Sequence, residues 1–217
     1  SWKDIFPKKG EIHFAGALEN NEDTGTLQYL ASTAMEAGFS TRVLDMQALD
    51  LQNGRFFDPA GELVNRCFKL YPWEWMVDES PDGCLAEMEW LEPIWKLVMS
   101  NKAILATLYE LFPDSPYVLP CYLSRPRSGL FCKKPIFSRE GHNVSVVDIR
   151  DWEEYVRIAE TEGDYNTGAY VYQEYVEPTA YSGRYPVIGS WIIGGEAAGI
   201  GIRENRMEVT DNLSEFV

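Results

Sequence analysis

Lys134-Pro-Ile-Phe-Ser-Arg-Glu-Gly-His-Asn-Val144 closes an apolar strand, Gly129 to Lys134, on a lysine and passes at once into a short polar turn containing Gly141. Pro135 lacks an N–H and keeps its predecessor extended, so the Lys134 ammonium can be aimed into a cleft. Gly141 lets backbone approach a ligand closely, and N–H groups in such a turn form a concavity for anions. The surroundings point the same way. From Cys121 to Ser145 the basic residues are Arg125, Arg127, Lys133, Lys134 and Arg139 and the acidic one is Glu140, whereas the whole chain carries a formal charge of −15. A locally positive site in a negative protein suits a compact anion such as a polyphosphate, because a long nucleic acid would meet the repulsive field around it. The competing reading is a plain hairpin with solvated cations.

Outward from this stretch the second half reads as β-rich, with strands at Gly129–Lys134, Ala169–Val176, Val187–Ile193, Ala197–Arg203 and Met207–Thr210 and one helix around Asp151–Glu162. Gly194-Gly195 between two apolar runs signals a hairpin. Asn101 is placed to cap a helix from Lys102 to Phe112 whose stripe is Leu105, Leu108 and Phe112, after another helical stretch from Pro93 to Ser100. The first half has a different rhythm. A strand at Glu11–Ala17, a helix capped near Asp23-Thr24 and stopped by Gly38, and strands at Thr41–Met46 and Cys67–Tyr71 make a β-α-β layer with a third strand. Trp73 to Gly83 reads as a hinge, giving a small α/β region at 1–75 and a second, α+β region at 84–217.

A pI near 4.5 argues against binding to nucleic acid or an anionic membrane, and no apolar run approaches the roughly 18 residues that span a bilayer. The start, Ser1-Trp-Lys-Asp-Ile-Phe-Pro, has neither signal-peptide character nor an initiator Met, which reads as an excised piece of a soluble, cytoplasmic protein. Cys67, Cys84, Cys121 and Cys132 form no C-x-x-C pair, and His13 and His142 leave little material for a His-based triad or metal site, so no residue of the chain is assigned to a metal.

No G-x-x-x-x-G-K-[ST] occurs, and Gly199-Ile-Gly201 is too short for a dinucleotide fingerprint, so a nucleotide site must be of another kind. Ser138, Arg139, Glu140, Gly141, His142 and Asn143 would then fold over phosphates held by Lys134. The strand ending Gln173-Glu-Tyr-Val176 stops before Pro178, and its free backbone groups could read a base edge; alone it is a generic strand. Arg203 closes an apolar strand, as a solvated tip or as a planar fork for a phosphoryl group. Trp73, Trp75, Trp90 and Trp95 lie in acidic surroundings and read as packed aromatics rather than stacking platforms.

Four motifs in order, Phe68-Lys-Leu-Tyr-Pro-Trp-Glu-Trp-Met76, Ser100-Asn-Lys-Ala-Ile-Leu105, the Lys134–Val144 stretch, and Ile188-Gly-Ser-Trp-Ile192 with Ala198-Gly-Ile-Gly-Ile-Arg-Glu204, closely resemble the glutathionylspermidine synthase family over nearly the whole chain. The resemblance implies an ATP-grasp fold preceded by a pre-ATP-grasp α/β layer. It also implies an ATP-dependent acid–amine (C–N) ligase, in which a carboxylate becomes an acyl phosphate and an amine then attacks. The partners implied are a small carboxylate, peptide or thiol peptide, and an amine such as a polyamine. Residue by residue, it makes Lys102 and Lys134 the phosphate lysines, Ser138–Asn143 the lid, Gln173, Glu174, Tyr175 and Val176 the adenine hinge, and Arg203 the catalytic cation facing the transferred phosphoryl group.

Two departures accompany the resemblance. Ser214-Glu215-Phe216 stands where relatives usually have Ser-Arg-Phe. The family's Mg²⁺ ligands lie on a segment N-terminal to the region that this chain resembles, so the chain reads as a C-terminal part that is inactive in isolation. An inactive nucleotide-binding or structural ATP-grasp-like domain is the alternative.

Overall fold

Four parallel strands in the order β2-β1-β6-β7 organise residues 1–98 of the computed structural model, which describes residues 1–151, 154–165, 168–193, 195–209 and 214–217. A short α1 (Trp2–Ile5) leads into β1 (Glu11–Gly16), α2 (Asn21–Glu36) and β2 (Ser40–Asp45), the β-α-β unit that the alternating patterns predict. Helix α2 starts earlier than Asp23-Thr24. Asn20 is extended and its side chain accepts from the Glu22 and Asp23 N–H groups at 2.8 and 3.4 Å, which leaves Asp23 inside the first turn, where the helix dipole favours it. Gly38 ends the helix in a left-handed conformation, φ +93°.

β1 is buried on both faces because it is central. Ile12 and Phe14 pack with Leu27, Ala31 and Ala34 of α2, while Ala15 joins Val64, Cys67 and Trp73 on the other side. The strand ends at Gly16, where a Cβ would lie 2.9 Å from Leu27 Cδ1 and 3.0 Å from the Leu70 carbonyl, so helix and neighbouring strand close on bare backbone. A small antiparallel sheet, β3 (Asp50–Gln52), β4 (Arg55–Phe57) and β5 (Leu63–Val64), precedes β6 (Arg66–Leu70).

The predicted hinge at Trp73–Gly83 is instead α3 (Trp73–Glu79) and α4 (Pro81–Cys84). Trp73 and Met76 fall three apart on one helix face and enter the core with Cys84, and Pro81 opens a helix where its missing N–H costs nothing. β7 (Glu89–Leu91) then adds to β6, so the division between units falls at Val98/Met99 rather than at 75–84. Pro93–Ser100 is correspondingly broken into a 3-10 turn and α5 (Leu97–Ser100).

In the second unit α6 (Ala103–Leu111) packs on an antiparallel sheet ordered β11-β10-β9-β12-β8, formed by β8 (Cys121–Tyr122), β9 (Gly129–Pro135), β10 (Ser145–Ile149), β11 (Tyr155–Glu160) and β12 (Tyr170–Glu174). The helix buries Ala106, flanked by Leu105 and Tyr109, against Cys121 and Val171; Phe112 is 56% exposed, which corrects the predicted stripe. The helix predicted at 151–162 is strand β11 over its described part. Tyr-Val-Arg-Ile favours a pleated edge, and the pairing with β10 outweighs the helical reading. β13 (Tyr185–Ile193) and β14 (Glu196–Asn205) form the predicted hairpin, and Gly195 has φ +86°; Gly194 lies outside the described residues. Met207–Val209 is not a strand, and β15 (Glu215–Phe216) pairs with β14 instead, while Thr210 lies outside the described residues. Ile188, Trp191 and Ile200 on this hairpin are exposed.

Candidate functional site

Alternation along β9 sends Phe131 and Lys133 to one face of the sheet and Cys132 and Lys134 to the other, the face that α6 covers. Lys134 lies opposite Val171 in β12, and its Nζ donates to Gln173 Oε1 at 2.6 Å. Lys102, at the N-terminus of α6, reaches the same place. Its backbone N–H donates to the Ile136 carbonyl at 2.8 Å, and its Nζ donates to Ser138 Oγ at 2.9 Å and to the Ser138 carbonyl. Lys102 and Lys134, 32 positions apart, thus both line one cavity of about 360 Å³.

The loop between β9 and β10 forms its roof. Ser138, Arg139, Glu140 and Gly141 line the cavity, and the turn is tight enough that Glu140, Gly141 and Asn143 all have positive φ, 53°, 74° and 54°. Asn143 does not line it. Its side chain donates to the Gly163 carbonyl and accepts from the Tyr165 N–H, both at 2.8 Å, and so staples the loop to the chain after β11. Gly163 is required there, since a Cβ would come 2.5 Å from that of His142.

Tyr175 and Val176 line the far side, whereas Gln173 contacts Lys134 and Glu174 alternates onto the opposite sheet face. Tyr175 donates to Glu208 at 2.8 Å; burial, with Glu208 beside it, pushes the phenol up to about 12, so it stays a donor at neutral pH. Arg203 is not among the lining residues. It sits in β14 opposite Phe216, with its guanidinium 5.9 Å from that ring.

Cys132, Val144, Glu208 and Val209 also line the cavity and were not foreseen. Cys132 was accessible to reasoning, being two residues before Lys134 on one strand face. Burial raises its thiol pKa, so it is a neutral wall beside the lysine. A second cavity of about 620 Å³ shares Glu140, Gly141, Glu208 and Val209 and adds His142, Glu160, Glu162 and Arg206, which makes it acidic.

The glutathionylspermidine synthase pre-ATP-grasp family matches residues 1–217. The chain belongs to this family. A Haemophilus influenzae protein named as an acid–amine ligase is 34% identical over 96% of the chain and 56% of its own length. Trypanothione synthetase of Crithidia fasciculata is 28% identical over 95% of the chain and 35% of its own length, and the bifunctional glutathionylspermidine synthetase/amidase of Escherichia coli 27% over 90% and 36%. The chain therefore spans about half, or less, of the curated relatives it matches. The crystal structure of D-cycloserine synthetase DcsG superposes with a TM-score of 0.53 over 89% of this chain and 68% of that one, at 14% identity. The fold is mixed α/β, of the ATP-grasp type with a preceding α/β layer, and the family is one of ATP-dependent acid–amine ligases. Among the described residues no helix is long and apolar enough to cross a membrane.

Proposed function

We propose that the protein of which this chain is part joins a small carboxylic acid to an amine at the expense of ATP, and that the cavity around Lys102 and Lys134 holds the nucleotide's phosphates. The observation that carries this is the convergence of the two lysines under a glycine-containing loop, in a chain of net charge −15. ATP would supply the phosphoryl group that turns the carboxylate into an acyl phosphate, a mixed anhydride, with ADP leaving; the amine then attacks the acyl carbon and phosphate departs. The chain's own residues bind and orient. Phosphate oxygens would replace the Ser138 oxygens as acceptors for Lys102, which frees the loop at 136–144 to settle over the ligand and exclude water. Gln173 holds the Lys134 ammonium in register, and Tyr175 and Val176 flank the base end, as pocket walls with a few fixed polar groups do.

Arg203 acts in this reading only if β14 approaches the phosphoryl group in the complete protein. Magnesium would neutralise phosphate charge in such a reaction, and among the described residues no cluster of three or more His, Cys, Asp or Glu is disposed to hold it. The neighbouring acidic cavity, with Glu140, Glu160, Glu162 and Glu208 on its walls, suits the amine, since a protonated amine gains there the charge that the phosphate cavity would deny it. A specific test is ADP release by the full-length protein against a matrix of acids, thiol peptides and amines. Release that requires both an acid and an amine supports ligation. Binding of ATP without release under any pairing supports the inactive nucleotide-binding alternative.

A further inference from the structure

The basic cluster of the sequence is split by the sheet. Lys134 and Arg139 line the cavity described above, whereas Lys133 and Arg125 line a separate, more enclosed cavity of about 50 Å³ with Val147, Ile149, Tyr155 and Tyr172. It lies on the opposite face, because Lys133 and Lys134 are adjacent on β9. The guanidinium of Arg125 stands 5.0 Å from the Tyr155 ring centre and the Lys133 ammonium 3.9 Å from that of Tyr170, so both cations have aromatic walls. Arg125 Nη2 donates to the Asp151 carbonyl at 2.9 Å, but its Nε is buried without an acceptor. Among the described residues no carboxylate lines it, and nearby Asp148 and Glu154 are engaged by Arg150 at 3.6 and 3.4 Å.

We propose that this cavity is a second anion site, taking one small oxyanion, a carboxylate or a phosphate group, between Arg125 and Lys133. Two cationic side chains line one small enclosed space, and a buried N–H without an acceptor demands one; a bound oxyanion answers both. Water would satisfy the N–H but leave the charge uncompensated. The site is independent of the ATP reading, since it uses neither Lys102 nor Lys134. Its occupant is not the carboxylate being activated, because the sheet separates the two cavities.

The test is titration of the full-length protein with inorganic phosphate and, separately, acetate at constant ionic strength set by chloride, following the Arg125 Nε–H resonance, which is assigned by its loss in Arg125→Lys. Lys102→Met/Lys134→Met serves as the background that removes phosphate binding at the first cavity. The expected result is a saturable shift of that resonance with at least one of the two anions, weakened tenfold or more by Lys133→Met and restored by Lys133→Arg. Phosphate alone or acetate alone identifies the oxyanion class. A resonance that moves no more than with chloride, or a shift that survives Lys133→Met, overturns the proposal.

Discussion

At the residue scale, Lys134 is the group on which the proposed chemistry leans most. Replacing it by Ala in the full-length protein removes one preorganised cation and is expected to cost about 2–4 kcal/mol of transition-state stabilisation. The measurement is kcat/KM for ATP, and an unchanged value would remove Lys134 from the site. Glu162→Gln, on the acidic cavity, is expected to raise KM for the amine several-fold with little change for ATP, which steady-state kinetics in each substrate separates. His13 makes a prediction of another kind. It is 2% exposed, neither ring nitrogen is within hydrogen-bond reach of an acceptor, and burial lowers its pKa from 6.5 despite Glu11 and Asp58 at 3.8 Å from Nε2. The unfolded chain therefore binds a proton near pH 6.5 that the folded one refuses; this contribution to stability is complete above that pH and is lost as pH falls below it. Denaturant midpoints between about pH 7 and 5 should fall more steeply for the wild type than for His13→Gln, and parallel curves would contradict the assignment.

At the element scale, the legible parts of the sequence were those with one dominant period. The β-α-β unit, β9 and the β13–β14 hairpin follow directly from alternation, caps and glycines. Other segments needed tertiary information. Asp151–Glu162 carries enough Glu, Ala and Ile to read as a helix, and pairing with β10 decides for a strand over Tyr155–Glu160. Trp73–Gly83 looked like a linker because Pro81 and Gly83 punctuate it, yet Gly83 is buried and a Cβ there would meet Phe56 at 2.9 Å, so its glycine serves packing. The site was half legible for the same reason. Lys102 and Lys134 are marked by the elements they terminate, while Cys132, Glu208 and Val209 join the cavity through sheet alternation and a late loop. Gly16→Ala tests the close approach of β1, α2 and β6. The Leu27 methyl can rotate away but the Leu70 carbonyl at 3.0 Å cannot, and a loss of about 1–3 kcal/mol by chemical denaturation is expected. A loss below a few tenths would show that the strand relaxes freely.

At the scale of the whole molecule, the chain holds a cavity lined by Lys102, Lys134 and Arg139, an acidic cavity beside it, and a hairpin whose large apolar residues stand exposed. The chain belongs to a family of acid–amine ligases and spans about half or less of the length of the curated relatives it matches. Whether the lysine cavity is the ATP site decides the whole account, and calorimetric titration of Mg-ATP into the full-length protein and into its Lys102→Ala and Lys134→Ala variants decides that most directly. The account predicts saturable binding in the wild type that weakens at least tenfold in each variant, with native circular dichroism retained. Equal affinity in all three proteins would place the nucleotide elsewhere and contradict it.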